Sequence, residues 1–444
     1  MQTKLKYMDE IYTLSVLLFS LLAWIISTYG IVIMCVGLFI SLFLKKFKYV
    51  IPWLLNFVFT INIDLALNVQ INPILYISSI IVIIGMIVFL VIKKPNLKLG
   101  LSKSTYILMS VVTIIPILWT NAKEVSHMFL YFSWFLYSLI YFFTLYSNDE
   151  DNNEMLSTSM INLGLLIALQ VIIVSINENG FDIDKILSSS LRVGWGIFNE
   201  CGIMMLSVIP YIFYSLHKKK FYFFNLLKLL IIILACFFTN SRGTYIFGII
   251  MLISLIILLG VLTKKTKGFY LSLISITLCI VFVGLIFHGK IIEIINKVLE
   301  NVFYNGLSNN GRFTLYEYGI KNIFEYPHHL IFGPGFVESY YTDLGSNYIG
   351  MKNIFIVYHS TIIQTLSIGG IIGVFVFILF IYKRFKVLLI NMKDDLYKFI
   401  VIGGVSIEMY GLIDNTYHMF YFMIPLAISM GIFESKNQGD DILC

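Results

Sequence analysis

Four arginines occur in 444 residues, and three of them, Arg192, Arg242 and Arg312, stand in polar patches beside or between apolar runs. A guanidinium is planar, permanently charged and forked, which suits it to two-point recognition of phosphate or carboxylate. Generic positive charge in this chain is carried by 27 lysines, so arginine at these places reads as a choice of geometry. Arg242 lies in Thr239-Asn240-Ser241-Arg242-Gly243-Thr244, and Arg312 follows Gly311; a neighbouring glycine lets a bulky ligand or another backbone approach closely. His359, in Tyr358-His359-Ser360-Thr361, adds a group that is neutral near pH 7 and can take a proton from a hydroxyl. Arginines at one membrane face could hold a lipid pyrophosphate, with the histidine accepting the proton of a sugar hydroxyl.

Two acidic residues join them. Glu408 falls inside an apolar run and Asp414 at its end, and an ionisable group within a membrane span is a functional hypothesis by default. Each could pair with an arginine or line a polar cavity. No divalent metal is expected. The bland readings run alongside. A boundary arginine taken singly is more often snorkelling to the head groups, whereas three on one face of an arginine-poor chain favour binding. His328-His329 follow Pro327 and read as solvated loop residues, and His127, His288 and His418 as interface residues. Five scattered cysteines with no CxxC pair indicate neither a disulfide framework nor a zinc site.

The elements that must position these groups are membrane spans. At 59% hydrophobic and 13% charged, with a mean hydropathy of +0.88, the chain carries more apolar surface than a soluble domain can hide. Apolar runs near 11–27, 30–44, 49–66, 73–92, 104–119, 125–146, 155–177, 197–216, 221–239, 244–262, 269–287, 359–382, 397–413 and 416–433 predict an all-α polytopic membrane protein with about 12–14 spans. The first run is expected to be an uncleaved anchor. Lysine clusters at 45–48, 93–98, 218–220 and 264–267, with Lys383-Arg384-Lys386, fall in alternate loops; the positive-inside rule then puts both termini in the cytoplasm. Arg192, Arg242, Arg312 and His359 map to the opposite, outer face. The net charge of +6 is that of cytoplasmic loop lysines, and no nucleic-acid partner is expected.

Three parts follow: an N-terminal bundle over 1–287, a large outer loop over 288–358, and C-terminal spans with a short tail over 359–444. A structureless loop of roughly seventy residues is improbable. Ile291, Ile292, Ile294, Ile295, Val298, Leu299 and Val302 form an apolar face for a surface-lying helix, and a second short helix is expected from Asn310-Gly311-Arg312 to before Pro327. Tyr316 and Tyr340-Tyr341 could stack on sugar rings.

These motifs resemble the O-antigen ligase/polymerase superfamily of bacterial membrane glycosyltransferases. Leu191-Arg192-Val193-Gly194 through Phe198-Asn199 looks like the family's arginine-glycine-asparagine stretch, although Glu200-Cys201 follow where the family often has Pro-Asn. Asn240-Ser241-Arg242-Gly243 looks like its Ser-Arg-Gly junction. Gly311-Arg312, Phe332-Gly333-Pro334-Gly335-Phe336 and His359 before Gly369-Gly370 look like its large outer loop. The resemblance covers roughly 190–380 with motifs. It implies a metal-independent, cofactor-free reaction at the outer face of the bacterial cytoplasmic membrane on undecaprenyl-pyrophosphate-linked oligosaccharide. Arg192, Arg242 and Arg312 would bind pyrophosphate and His359 would act as base, with Asn199, Ser241, Glu408 and Asp414 in support. A chain-length regulator and a flippase are the protein partners such a role suggests, besides membrane lipid. Within the superfamily a polymerase is favoured, a ligase with a lipid or protein acceptor being the alternative. From another class, a flippase or transporter also needs many spans, but transporters tend to show internal repeats and midplane sites, and no repeat is evident.

Overall fold

The computed structural model describes residues 2–26, 28–44, 46–62, 73–93, 100–119, 131–148, 150–182, 191–219, 221–263, 311–335 and 358–436, with scattered positions between 185 and 296. Among these residues the regular structure is helical, with one isolated bridge between Arg192 and Ile197. The helices are α1 (Gln2–Ile26), α2 (Thr28–Phe43), α3 (Ile51–Asn56), α4 (Pro73–Lys93), α5 (Lys103–Ile114), α6 (Ser133–Ser147), α7 (Asn153–Asn179) and α8 (Phe198–His217). They continue with α9 (Tyr222–Phe238), α10 (Arg242–Leu262), α11 (Gly311–Phe324), α12 (Pro327–Phe332), α13 (Thr361–Ile390), α14 (Asp395–Gly411) and α15 (Phe420–Ser435). The chain is an all-α polytopic membrane protein. Among the described residues four helices (7–26 and α7, α10 and α13) are long and apolar enough to cross a membrane. The surface-lying helix expected at 291–302, His127 and Tyr340-Tyr341 lie outside the described residues.

Helix is forced on such a chain because lipid offers no hydrogen bonds to backbone groups. α10 shows the two-sidedness that follows: Met251, Leu255 and Leu259 are buried against the bundle, while Ile246, Ile249, Ile253 and Ile257 stay exposed. Both sets repeat every three or four residues, as neighbours on one helix face do.

Three apolar runs depart from the single helices expected of them. The run at 49–66 forms only α3, flanked by 3₁₀ turns at Phe47–Tyr49 and Val58–Thr60. Pro52 sits in the first turn of α3, where its missing N–H costs nothing. Side chains satisfy the backbone left outside helix: Gln170 Nε2 donates to Phe59 O at 2.7 Å, Asn62 Nδ2 to Trp24 O at 3.0 Å, and the Tyr12 hydroxyl to Tyr49 O at 2.8 Å. In the run at 104–119, α5 gives way to a 3₁₀ turn, Ile115–Leu118, at Pro116. The run at 359–382 continues to Ile390, so Lys383-Arg384 and Lys386 lie within α13 rather than in a loop.

Connectivity sorts the functional candidates. α8 runs away from Arg192, α9 returns, and α10 starts at Arg242 after a three-residue link. α13 runs away from His359, and α14 returns to end at Gly411, packed on α8 and α10. Arg192, Arg242, His359 and Asp414 therefore share one end of the bundle, termed here the arginine end. Lys218, Lys393 and Lys398 mark the other, where His217 Nε2 lies 3.1 Å from the Asp395 carboxylate.

Buried polar ties hold the helices in register. Lys228 Nζ on α9 donates to Glu10 at 2.9 Å on α1 and to Asn162 Oδ1 at 2.7 Å on α7, and Asn162 donates to Thr13 at 2.9 Å. Glu434, 2% exposed on α15, accepts from Ser102 N at 3.0 Å and from the Tyr141 hydroxyl of α6 at 2.6 Å. Glu434→Ala orphans both donors, and each buried unsatisfied group costs about 1–3 kcal/mol. We expect this variant to lower the thermal midpoint in detergent by several degrees (about 3 kcal/mol in all).

Candidate functional site

Each residue at the arginine end is placed by local structure. Arg192 belongs to a tight loop closed by Val193 N to Gly196 O (3.0 Å) and Phe198 N to Leu191 O (3.1 Å). Trp195 plugs that loop into the bundle through Nε1 to Gln170 Oε1 at 2.9 Å, and Trp24 Nε1 donates to Val193 O at 2.8 Å. The Arg192 residue is left exposed. Asn199 is half-buried in the first turn of α8. Glu200, one residue on, caps the same helix by accepting from Ile197 N at 2.8 Å, and it lies within electrostatic reach of both Arg192 and Asp414.

Ser241 is the N-cap of α10, its Oγ accepting from Thr244 N at 3.3 Å. The same Oγ lies 3.2 Å from the Tyr410 hydroxyl. Gly243 allows this approach, since a Cβ there would stand 2.8 Å from the Tyr410 ring. Arg242 is consequently the first residue of α10 and exposed, beside backbone N–H groups whose dipoles favour an anion. Asp414 N bonds Tyr410 O at 3.0 Å, so Tyr410 and Asp414 are one helical turn apart, and Arg242 and His359 are tied to the same short stretch of chain.

His359 meets Asp414 directly, Nδ1 to Oδ1, at 3.0 Å. A carboxylate can only accept, so Nδ1 carries a proton, and in the neutral ring Nε2 is then the nitrogen with the lone pair. The ring is 31% exposed and the carboxylate 11%, which leaves Nε2 accessible beside a held partner. His359 has a left-handed φ of 50°. That conformation is uncommon in a non-glycine residue and concentrates at functional sites. The Tyr316 hydroxyl of α11 fixes it by donating to His359 O at 2.8 Å. Arg312 sits one turn before Tyr316 in α11; its side chain lies outside the described residues.

The connection from Leu412 to Met419 is anchored from beneath. Thr361 Oγ1 lies 3.1 Å from Thr416 Oγ1 and donates to Asp414 O at 3.2 Å. His418 is buried rather than interfacial, and burial pushes its ring down to about 3. It is neutral, taking a hydrogen bond from Trp134 Nε1 at 3.4 Å and meeting Thr365 Oγ1 through Nε2 at 2.8 Å. Tyr417 joins a buried cluster with Arg384 and Glu408, all three in mutual contact. Glu408 thus pairs with Arg384 inside the bundle, not with an arginine of the arginine end, and Arg384 lines a cavity of about 50 Å³ with Tyr211 and Ser429.

One further reading changes with the structure, and one motif finds its place. His328 and His329 are in α12, not a loop: His329 is buried, and His328 stacks edge-on against Trp119 with centroids 5.0 Å apart. The Gly333-Pro334-Gly335 motif docks on the backbone of α13. Gly335 N donates to Ser367 O at 3.0 Å, and a Cβ on Gly370 would stand 2.4 Å from the Ile331 carbonyl. Gly370 is itself non-helical, with φ 59°. Among the described residues no group of three or more His, Cys, Asp or Glu could hold a metal ion. Glu200 and Tyr410 were missed by sequence reasoning; an acidic residue opening an apolar run at Asn199-Glu200 was the available signal.

Residues 227–378 match the family described as O-antigen ligase, about a third of the chain, taking in Arg242, Arg312 and His359. The match supports the O-antigen ligase/polymerase superfamily and, with it, a glycosyltransferase-like bacterial membrane enzyme acting on lipid-linked polysaccharide. No curated protein matches the chain.

The Arg384 cluster generates a stability test. Removing one partner of a buried ion pair costs about 3–5 kcal/mol, whereas replacing both by apolar groups is often neutral. Arg384→Met is expected to lower the thermal midpoint strongly, and Arg384→Met combined with Glu408→Leu to recover most of the loss. A double variant no more stable than the single one would contradict the pairing.

Proposed function

We propose that this chain polymerises undecaprenyl-pyrophosphate-linked oligosaccharide repeat units at the outer face of the cytoplasmic membrane. The observation that carries the reading is the His359–Asp414 pair standing at the same end of the bundle as Arg192 and Arg242. Asp414 holds the imidazole with Nε2 as proton acceptor, the arrangement a general base requires. Arg192, Arg242 and Arg312 supply the positive charge for a pyrophosphate, Arg242 with the dipole of α10 behind it.

In this reaction the acceptor hydroxyl attacks the anomeric carbon of the donor chain. The new carbon–oxygen bond forms as the bond from that carbon to the pyrophosphate oxygen breaks. The hydroxyl proton passes to His359 Nε2, and the lipid pyrophosphate departs with its negative charge held by the arginines. No metal is invoked, because guanidinium groups perform the charge stabilisation. A ligase would run the same steps with a lipid or protein acceptor and is the second reading; the family match at 227–378 is common to both. Deletion of the gene separates the two: single repeat units on the final carrier indicate a polymerase, long chains stranded on the lipid carrier a ligase.

Arg242→Lys keeps the charge and loses the fork. Two charge-assisted hydrogen bonds reduced to one correspond to roughly a tenfold to hundredfold loss of kcat/KM, measured by extension of lipid-linked repeats in detergent. Normal chain length with Lys at 242 would remove the phosphate clamp from that position. His359→Ala is expected to abolish turnover while leaving donor binding nearly intact, and a variant unable to bind donor would make His359 a ligand instead.

A further inference from the structure

Buried polar groups at the arginine end stand without partners, in a setting where water is scarce. Asn415 is 2% exposed, yet neither the oxygen nor the nitrogen of its carboxamide makes a hydrogen bond. Thr244 Oγ1, two residues beyond Arg242, is unpaired as well. Orphaned groups of this kind are few in native proteins and call for an explanation. The Tyr421 hydroxyl, 1% exposed in the first turn of α15, has the Glu200 carboxylate as its hydrogen-bond partner. Both Asn415 and Tyr421 adjoin the proposed base. Asn415 follows Asp414 directly and donates its backbone N–H to that carboxylate at 2.9 Å. Tyr421 lies within electrostatic reach of Glu200 and Asp414, and its ring meets Trp195 with centroids 5.5 Å apart.

The chemistry of this wall separates it from the arginines. Glu200 and Asp414 would repel a phosphate. A carboxamide offers two donors and an acceptor, and a phenol offers one of each. Such a set matches a neutral, polyhydroxylated ligand. Resting on the transferase reading above, we propose that Asn415 and Tyr421 bind the acceptor saccharide. The Asn415 amide donates to one sugar hydroxyl and accepts from a neighbouring one, which presents the attacking hydroxyl to His359.

Asn415→Leu keeps the volume and removes the unpaired amide, and Tyr421→Phe removes only the hydroxyl. Because the Asn415 amide has no side-chain partner in the unliganded protein, Asn415→Leu should melt at or above the wild-type midpoint. In the extension assay the acceptor KM should rise roughly tenfold with a smaller change in kcat. A second readout does not depend on turnover. The soluble repeat-unit oligosaccharide, released by mild acid from the host's lipid-linked glycan, should stabilise wild type against heat and leave Asn415→Leu unmoved. An unchanged acceptor KM with undiminished stabilisation of Asn415→Leu overturns the assignment while the transferase reading stands. A marked drop in the unliganded midpoint of Asn415→Leu makes that residue structural and also overturns it. Stabilisation of wild type by the oligosaccharide without any transfer removes the transferase reading and retains the sugar-binding wall.

Discussion

The hydrogen bond of 3.0 Å between His359 and Asp414 joins two segments 55 residues apart, and the geometry of the arginine end is referred to it. Its strength as a fixed point comes from what surrounds it. Between α14 and α15 the chain has no regular structure, yet Asp414, Thr416, Tyr417 and His418 each find a side-chain partner on another element or deep in the bundle. In an apolar solvent that is a requirement, because a polar group left open has no water to fall back on. The carboxylate is thereby held on a scaffold of side chains as firmly as a helix would hold it. Held groups of this kind do not have to reorganise when charge develops beside them.

Charge is distributed at this end with a clear division. Arg192 and Arg242 are exposed, where they can reach a head group, whereas Glu200 and Asp414 sit further in. Arg384, the remaining arginine, is directed inward and held by Glu408 and Tyr417. Three arginines belong to one hypothesis and the fourth to the architecture, although residue type alone treats all four alike.

Helical class and span-forming character were legible in the sequence because lipid leaves so few solutions for an apolar chain. Arg242 was legible because a guanidinium in a lysine-rich protein is an unusual choice, and His359 because a lone histidine opened a span. Arg384 was misread. It sits among Lys383 and Lys386, and a charge cluster looks the same in a loop as in a helix whose one inward residue has a partner on the next helix. The run at 49–66 was misread for a related reason: hydropathy reports burial, and α3 is buried by protein, with Gln170 and Tyr12 supplying bonds to backbone carbonyls that helix would have supplied. Asn415 was invisible in principle, since an unpaired group is defined by what fails to surround it.

Gly370 carries a consequence for the order of assembly. Its non-helical φ of 59° lets Ile331 and Gly333 lie against the backbone of α13, and without those neighbours nothing favours the break over a continuous helix. Local interactions complete a helix long before distant segments meet. α13 is therefore expected to enter the membrane straight and to bend only when the chain around Gly333 returns to it. The bend then belongs to the docking of the chain around Gly333 and not to α13 alone.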